Sequence, residues 1–316
     1  MKNNLTKIII LILMTGAIVG MIIVGEANSS ARIDLSYSFS SRRAMRDVEY
    51  QVELGPRIPG SPAHAQIRSW MVKELASAGW EVKIQQIEMM GHPIYNVIAK
   101  WGEGHPWIIL GAHYDSRLTA NKDPLPENWS KPVPGANDGA SGVATLLELG
   151  RALPHYLKMK TPKPTGYVEQ VWLVFFDAED NGNVPGWDWT LGSQAFVQTL
   201  EEYPDSAVIV DMIGDRNLKI YWEKNSDPRI TNEIWDIAAR NGYSKYFSKN
   251  MKYRILDDHV PFLNAGIPAI DIIDYEYLYH HTTSDTPDKV SARSMKIVGE
   301  TLLYWLTDSE IDPYGP

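Results

Sequence analysis

Trp107-Ile108-Ile109-Leu110-Gly111-Ala112-His113-Tyr114-Asp115-Ser116 is the stretch that decides the fold. Its apolar start has no polar alternation. It therefore reads as a strand buried on both faces, the pattern of a parallel sheet covered by helices. The strand runs straight into a histidine and an acid, and the arrangement recurs. VWLVFF at 171–176 leads into Asp177-Ala178-Glu179-Asp180, and AVIV at 207–210 leads into Asp211. PAIDII at 268–273 is soon followed by His280-His281-Thr282. Each buried run ends in side chains that titrate or bind metals. In open α/β sheets ligands sit at such strand ends. The repetition implies one polar site at one edge of one sheet.

Outward from these strands the order is α/β. Ile67, Trp70, Met71 and Leu75 have helical spacing and predict a helix over 63–78, stopped by Gly79. Strands are expected over 81–89 and 95–101, joined through Gly91-His92-Pro93. Residues 116–136 read as a long loop, a length that usually signals function. A helix over 141–153 is expected to end at Pro154. Beyond a Pro/Gly linker at 160–166, strands are expected over 168–176, 207–213, 218–222 and 268–273. Helices are expected over 193–201, 227–241 and 291–306, with a short one from His259. No element is predicted before residue 63. The expected architecture is a three-layer sandwich, a mixed but mainly parallel twisted sheet flanked by helices.

The chain has no cysteine, which excludes disulfides, thiolate metal sites and cysteine nucleophiles. Any metal must be held by nitrogen and oxygen. A net charge of −9 with no basic block argues against a nucleic-acid partner. Lys2 and Lys7 precede an uncharged run from Ile8 to Gly25. This suits a secretory signal or an uncleaved membrane anchor. Residues 1–31 are therefore expected to be a targeting segment and 32–316 a single catalytic domain. The location is expected to be extracytoplasmic, secreted or anchored through that segment, with no other membrane contact.

Taken singly, the polar residues have ordinary explanations. Asp138 could cap the helix that follows it. Glu179-Asp180 could be a solvated loop pair. His113 and His281 could be hydrogen-bonded loop histidines. Asp211 follows four apolar residues, so its carboxylate needs a partner. Taken together, two histidines, three carboxylates and a further glutamate at strand ends match the donor set of a hydrolytic zinc site.

Five runs then carry a specific likeness: Gly-Ala-His-Tyr-Asp-Ser, Gly-Ala-Asn-Asp-Gly-Ala-Ser-Gly, Phe-Phe-Asp-Ala-Glu-Asp, Asp-Met-Ile-Gly and His-Thr-Thr-Ser-Asp-Thr. Their sequence resembles the zinc-dependent metallopeptidase family 28, over about residues 45–306. That family contains aminopeptidases and glutaminyl-peptide cyclotransferases. By this resemblance, an aminopeptidase would bind two zinc ions. His113 and Asp211 would hold one, Asp180 and His281 the other, and Asp138 would bridge. A cyclotransferase would bind one zinc on Asp138, Asp180 and His281. Glu179 would be the general acid/base in both.

Leu54–Pro62 and Asp257-Asp258-His259-Val260-Pro261-Phe262 look more like the cyclotransferases, and Phe-Phe-Asp-Ala-Glu-Asp with the Asp-Ile-Ile-Asp-Tyr run at 271–275 look like bacterial-type ones in particular. Asp257 would then join Glu179 and Asp211 in an acidic network. Trp187, Trp189 and His280 are expected to wall the substrate pocket. Two positions depart from the pattern: His280 stands where cyclotransferases usually have tryptophan, and Asp180 where many members have glutamate. The resemblance thus implies conversion of N-terminal glutamine to pyroglutamate with release of ammonia. Removal of N-terminal residues by a two-metal aminopeptidase is the alternative, and a non-catalytic binding module on the same fold the third. Peptide or protein N-termini would be the partners.

Overall fold

The computed structural model describes residues 39–159 and 168–307. The expected targeting segment at 1–31 and the 160–166 linker lie outside these residues. Two helices, α1 (Ser41–Glu53) and α2 (Pro62–Ser77), come first. They are followed by β1 (Glu81–Met89), β2 (His92–Gly102) and β3 (Trp107–His113). Next come α3 (Ala140–Met159), β4 (Gln170–Phe176), α4 (Leu191–Gln198), β5 (Ser206–Asp211) and β6 (Ile220–Trp222). The remainder is α5 (Pro228–Arg240), β7 (Phe247–Met251), α6 (His259–Asn264), β8 (Ala269–Ile273) and α7 (Ala292–Thr307).

Six strands form the central sheet in the order β1-β2-β4-β3-β5-β8. The β1–β2 and β2–β4 pairs are antiparallel. The β4–β3, β3–β5 and β5–β8 pairs are parallel. The sheet is therefore mixed with a parallel majority. Side-chain alternation explains why β3 and β4 are apolar almost throughout. Ile108, Leu110 and Ala112 of β3 enter one core cluster, and Trp107 and Ile109 enter the other. In β4, Val171, Leu173 and Phe175 face the first, and Trp172, Val174 and Phe176 the second. A strand with helices on both faces has no polar side to display. Residues of α1, α2, α3, α5 and α7 pack in the first cluster, while Phe196 of α4 and Phe262 of α6 pack in the second.

The differences from expectation are local. Helix α1 was not anticipated, because only Ala44, Asp47, Val48 and Gln51 of its thirteen residues are buried. Ala44 and Val48 enter the core, and ion pairs fasten the helix beside them: Arg43 bonds Glu148 of α3 at 2.5 Å, and Arg151 of α3 bonds Asp47 at 2.5 Å. Pro154 does not end α3, which continues to Met159. The β1–β2 turn is Met90-Gly91, with φ of 52° and 80°. Those values suit the tight hairpin turn that twists with its strands. Strand β2 therefore starts at His92 and contains Pro93. Proline is tolerated there because pairing to β4 begins only at Val97. Strand β7 pairs with β6 in a small parallel sheet, and only its Phe247 is buried, so no alternation announced it.

Candidate active site

The C-terminal ends of β3, β4 and β5 lie side by side, so His113, Glu179-Asp180 and Asp211 meet at one edge. The turns that carry them hold tight backbone. Ala178, Met212 and His281 all have positive φ, at 50°, 47° and 57°. Non-glycine residues rarely adopt this region, and such residues concentrate at functional sites. Gly139 (φ 85°) allows the α3 entrance to approach closely: a Cβ there would stand 2.7 Å from the Asp115 carbonyl and 3.1 Å from the His113 ring.

The edge opens into a cavity of about 350 Å³. Asp138, Glu179, Asp180, Asp211, Asp257, His280 and His281 line it, with Arg117, Lys122 and Trp189. His281 Nε2 is 2.8 Å from Asp180 Oδ1 and 3.7 Å from Asp138 Oδ2. His280 Nε2 is 3.8 Å from the same Asp138 oxygen, and its Nδ1 is 3.0 Å from Lys122 Nζ. His113 Nε2 is 3.2 Å from both Asp138 Oδ1 and Asp211 Oδ1. Metal-capable donors thus fall in two groups sharing Asp138: one with His280 and His281, the other with His113 and Asp211.

The electrostatics follow from crowding acids in a dry place. Burial drives Glu179 well above the usual carboxylate range; Asp257, Asp180 and Asp258 add to this and His113 opposes it. Burial, joined by Asp138, raises Asp180 likewise, against Arg117. Burial also pushes Asp211 up to about 7, aided by Asp257 and Asp138 and opposed by His113. For His113 burial alone would depress the value, but bonds to Asp115, Asp138 and Asp211 outweigh it and hold it well above normal. Burial lowers His281 to about 3, with Arg117 and Lys122 contributing. His281 is therefore neutral at neutral pH, the form that binds a metal.

The donor set fits a divalent cation on this evidence. Asp138 Oδ2, Asp180 Oδ2 and His281 Nδ1 are buried without a hydrogen-bond partner. Unpaired carboxylate oxygens cost several kcal/mol unless something positive meets them. Nitrogen and oxygen donors with imidazole present suit zinc.

Three organising residues escaped the sequence reading. Asp115 accepts from the backbone N–H of Glu179 at 3.0 Å and of Asp180 at 3.2 Å, and from Asn181 Nδ2 at 3.2 Å. Asp285 accepts from the N–H of Asn137 and Asp138 and from the Tyr277 hydroxyl. Arg117 donates to the Asp180 carbonyl, to Asp180 Oδ1 and to the Gly182 carbonyl. Asp115 and Asp285 belong to runs quoted above for their neighbours; their own signal was the recurrence of an acid two to four residues after a site histidine. Trp189 lines the cavity, its ring 6.2 Å from that of His281. Trp187 does not line it. It stacks on His92 at 3.8 Å and packs with Ile94 and Leu191, because the loop turns its ring toward the β1–β2 hairpin.

The profile of peptidase family M28 matches residues 96–306. The chain belongs to peptidase family M28. A glutaminyl-peptide cyclotransferase of Boiga irregularis is 27% identical over 285 residues, covering 78% of this chain and 75% of that protein. The crystal structure of Porphyromonas gingivalis glutaminyl cyclase superposes with a TM-score of 0.77 at 32% identity, covering 86% of this chain and 99% of that one. A Zn-dependent exopeptidase from Parabacteroides distasonis superposes with a TM-score of 0.78 at 28% identity, again covering 86% and 99%. This M28 chain is therefore similar both to glutaminyl cyclases and to a Zn-dependent exopeptidase. Among its described residues no helix is long and apolar enough to cross a membrane.

Proposed function

We propose that this enzyme is a glutaminyl-peptide cyclotransferase, closing N-terminal glutamine to pyroglutamate with release of ammonia. The observation that carries the reading is that Glu179, Asp211 and Asp257 line one cavity beside Asp138, Asp180 and His281. The first three supply a proton shuttle in an acidic setting, and the last three supply the donors for one zinc. Zinc, when bound there, supplies a Lewis acid that polarises the γ-carbonyl. Everything else falls to the chain. The cavity holds the substrate folded back so that its own α-amine lies against its γ-carbon, which makes the attack intramolecular. Glu179 takes the proton that the amine loses as the new C–N bond forms. It returns that proton to the departing amide nitrogen, which leaves as ammonia when the old C–N bond breaks. A carboxyl that both accepts and donates works best with a value raised toward neutrality, and burial raises Glu179 in that direction. Trp189 supplies an apolar wall near His281.

One observation favours a second reading, a two-metal aminopeptidase. His113, Asp138 and Asp211 bring donor atoms close enough to hold another ion. Zinc content separates the two: one ion per chain in the active protein supports cyclisation, and two with activity proportional to the second contradict it. We also propose that residues 32–316 form the catalytic domain and that Lys2, Lys7 and the uncharged run after them direct it out of the cytoplasm. Mass measurement of the mature N-terminus tests that placement.

A further inference from the structure

A second hollow, of about 500 Å³, opens beside the cavity described above. Helix α4 contributes Val197 and Gln198 to its lining, α6 contributes Val260 and Asn264, and Tyr203 stands in the segment after α4. The two hollows adjoin at three points. Leu256 lines both. Trp189 lines the first and its chain neighbour Thr190 the second. Asp257 lines the first, and Val260, whose N–H donates to the Asp257 carbonyl at 2.9 Å, lines the second.

The joint between them is firmly built. The Thr190 N–H donates to the Glu179 carbonyl at 2.9 Å, and Gln194 Nε2 donates to the Trp189 carbonyl at 2.9 Å. Thr190 has a φ of 56°, which a β-branched residue keeps only where its surroundings hold it. A groove resting on fixed backbone is formed before a ligand arrives, so less ordering opposes binding.

Its chemistry differs from that of the cavity. Acids crowd the cavity, whereas among the described residues no charged side chain lines the groove. Apolar surface there alternates with the amides of Gln194, Gln198 and Asn264. Such a lining suits peptide main-chain groups and uncharged side chains. Leu256 is 55% exposed and Tyr203 54%. Large apolar side chains exposed along one groove mark a contact surface.

We propose that this groove is an extended subsite for the residues that follow the substrate's first residue, and that it favours apolar side chains there. The proposal rests on the reading of the cavity as the seat of a peptide N-terminus. A peptide held by its N-terminus leaves the rest of its chain outside the cavity, and Leu256 leads that chain into the groove. Contacts so far from the reacting bonds act on KM more than on kcat.

The experiment measures kcat and KM for glutamine-initiated peptides from dipeptide to hexapeptide, in one series with leucine and in another with glutamate at the later positions. In the leucine series kcat/KM should rise roughly tenfold from shortest to longest, mostly through KM, as partial burial of one or two apolar side chains implies. The glutamate series should rise much less. Tyr203→Ala, at a half-exposed position, should cut the ratio of longest to shortest leucine peptide to about threefold or less. A general defect in folding or zinc content lowers both peptides and leaves that ratio alone. A KM independent of length, or a ratio unchanged by Tyr203→Ala, overturns the proposal. Wild type that releases the first residue instead of ammonia overturns the cyclase reading, and the length series on that reaction still tests the groove. If neither reaction proceeds, dissociation constants of the same peptides, measured by calorimetry, should show the same ratio, and equal constants overturn the groove. Sedimentation that shifts from dimer to monomer in Tyr203→Ala assigns the groove to a second copy of the chain and overturns the proposal.

Discussion

Substitution of Glu179 by glutamine isolates the proton shuttle from the rest of the site. The side chain keeps its shape, and the backbone N–H of residue 179 still bonds Asp115 at 3.0 Å, so the turn should hold. Glu179 is only 7% exposed, which leaves little bulk water to replace it. General acid/base groups typically contribute 10²–10⁴-fold, or ~2.7–5.4 kcal/mol of barrier. Asp211 and Asp257 sit in the same cavity but are held elsewhere, Asp211 by His113 and Asp257 by the N–H of Asp258. We therefore expect the middle of that range, a loss of ~10³ in kcat, or about 4 kcal/mol. Zinc content should not change, because the donors proposed for the ion are Asp138, Asp180 and His281. The assay is ammonia release from a glutamine-initiated peptide, with metal content measured on the same sample. A kcat within tenfold of wild type would refute Glu179 as the shuttle. Loss of zinc would refute the division of the site into separate donor and shuttle sets.

Other expectations follow from the same geometry. Arg117→Ala leaves the buried carbonyls of Asp180 and Gly182 without their donor and should cost about 1–3 kcal/mol in urea denaturation of the metal-free protein. Trp189→Ala should raise KM for peptide several-fold while Trp187→Ala should not, since only Trp189 lines the cavity; steady-state kinetics on both variants checks this. Removal of zinc by chelation should abolish activity and lower the unfolding free energy by the linkage term for free zinc, about 2.7 kcal/mol at a hundredfold excess over Kd, with Tm falling accordingly. The pH dependence of the metal-free protein has a definite sign. Burial first, with Asp138 contributing, raises Asp211 and Asp285 to about 7. A carboxyl that binds its proton more tightly when folded stabilises the fold below its unfolded value of ~3.9 and gives that up as pH rises through its folded value. Tm of the chelated protein should therefore fall between pH 5 and pH 8; a rise over that window contradicts the assignment.

Much of the fold was legible because burial on both faces leaves a plain mark. The apolar runs of β3, β4 and β5 mark inner strands and that of β8 a buried edge strand, and site residues follow the first three within a few positions. What escaped had no such mark. Helix α1 buries only two small apolar residues, Ala44 and Val48, beside the polar Asp47 and Gln51, and β7 buries one residue. Pro93 and Pro154 were read as breaks, yet one lies where a strand has no second partner and the other inside a helix. Among site residues, those that could touch an ion stood out by type, whereas Asp115, Asp285 and Arg117 act by holding backbone, a task any polar loop residue could perform. Trp187 and Trp189 are alike in sequence, and only the path of the loop separates them.

The most direct test is the mass of a glutamine-initiated peptide after incubation with the zinc-loaded protein. Loss of one ammonia with every residue retained is the result expected here. Loss of the whole first residue, with the remaining peptide intact, would contradict the account.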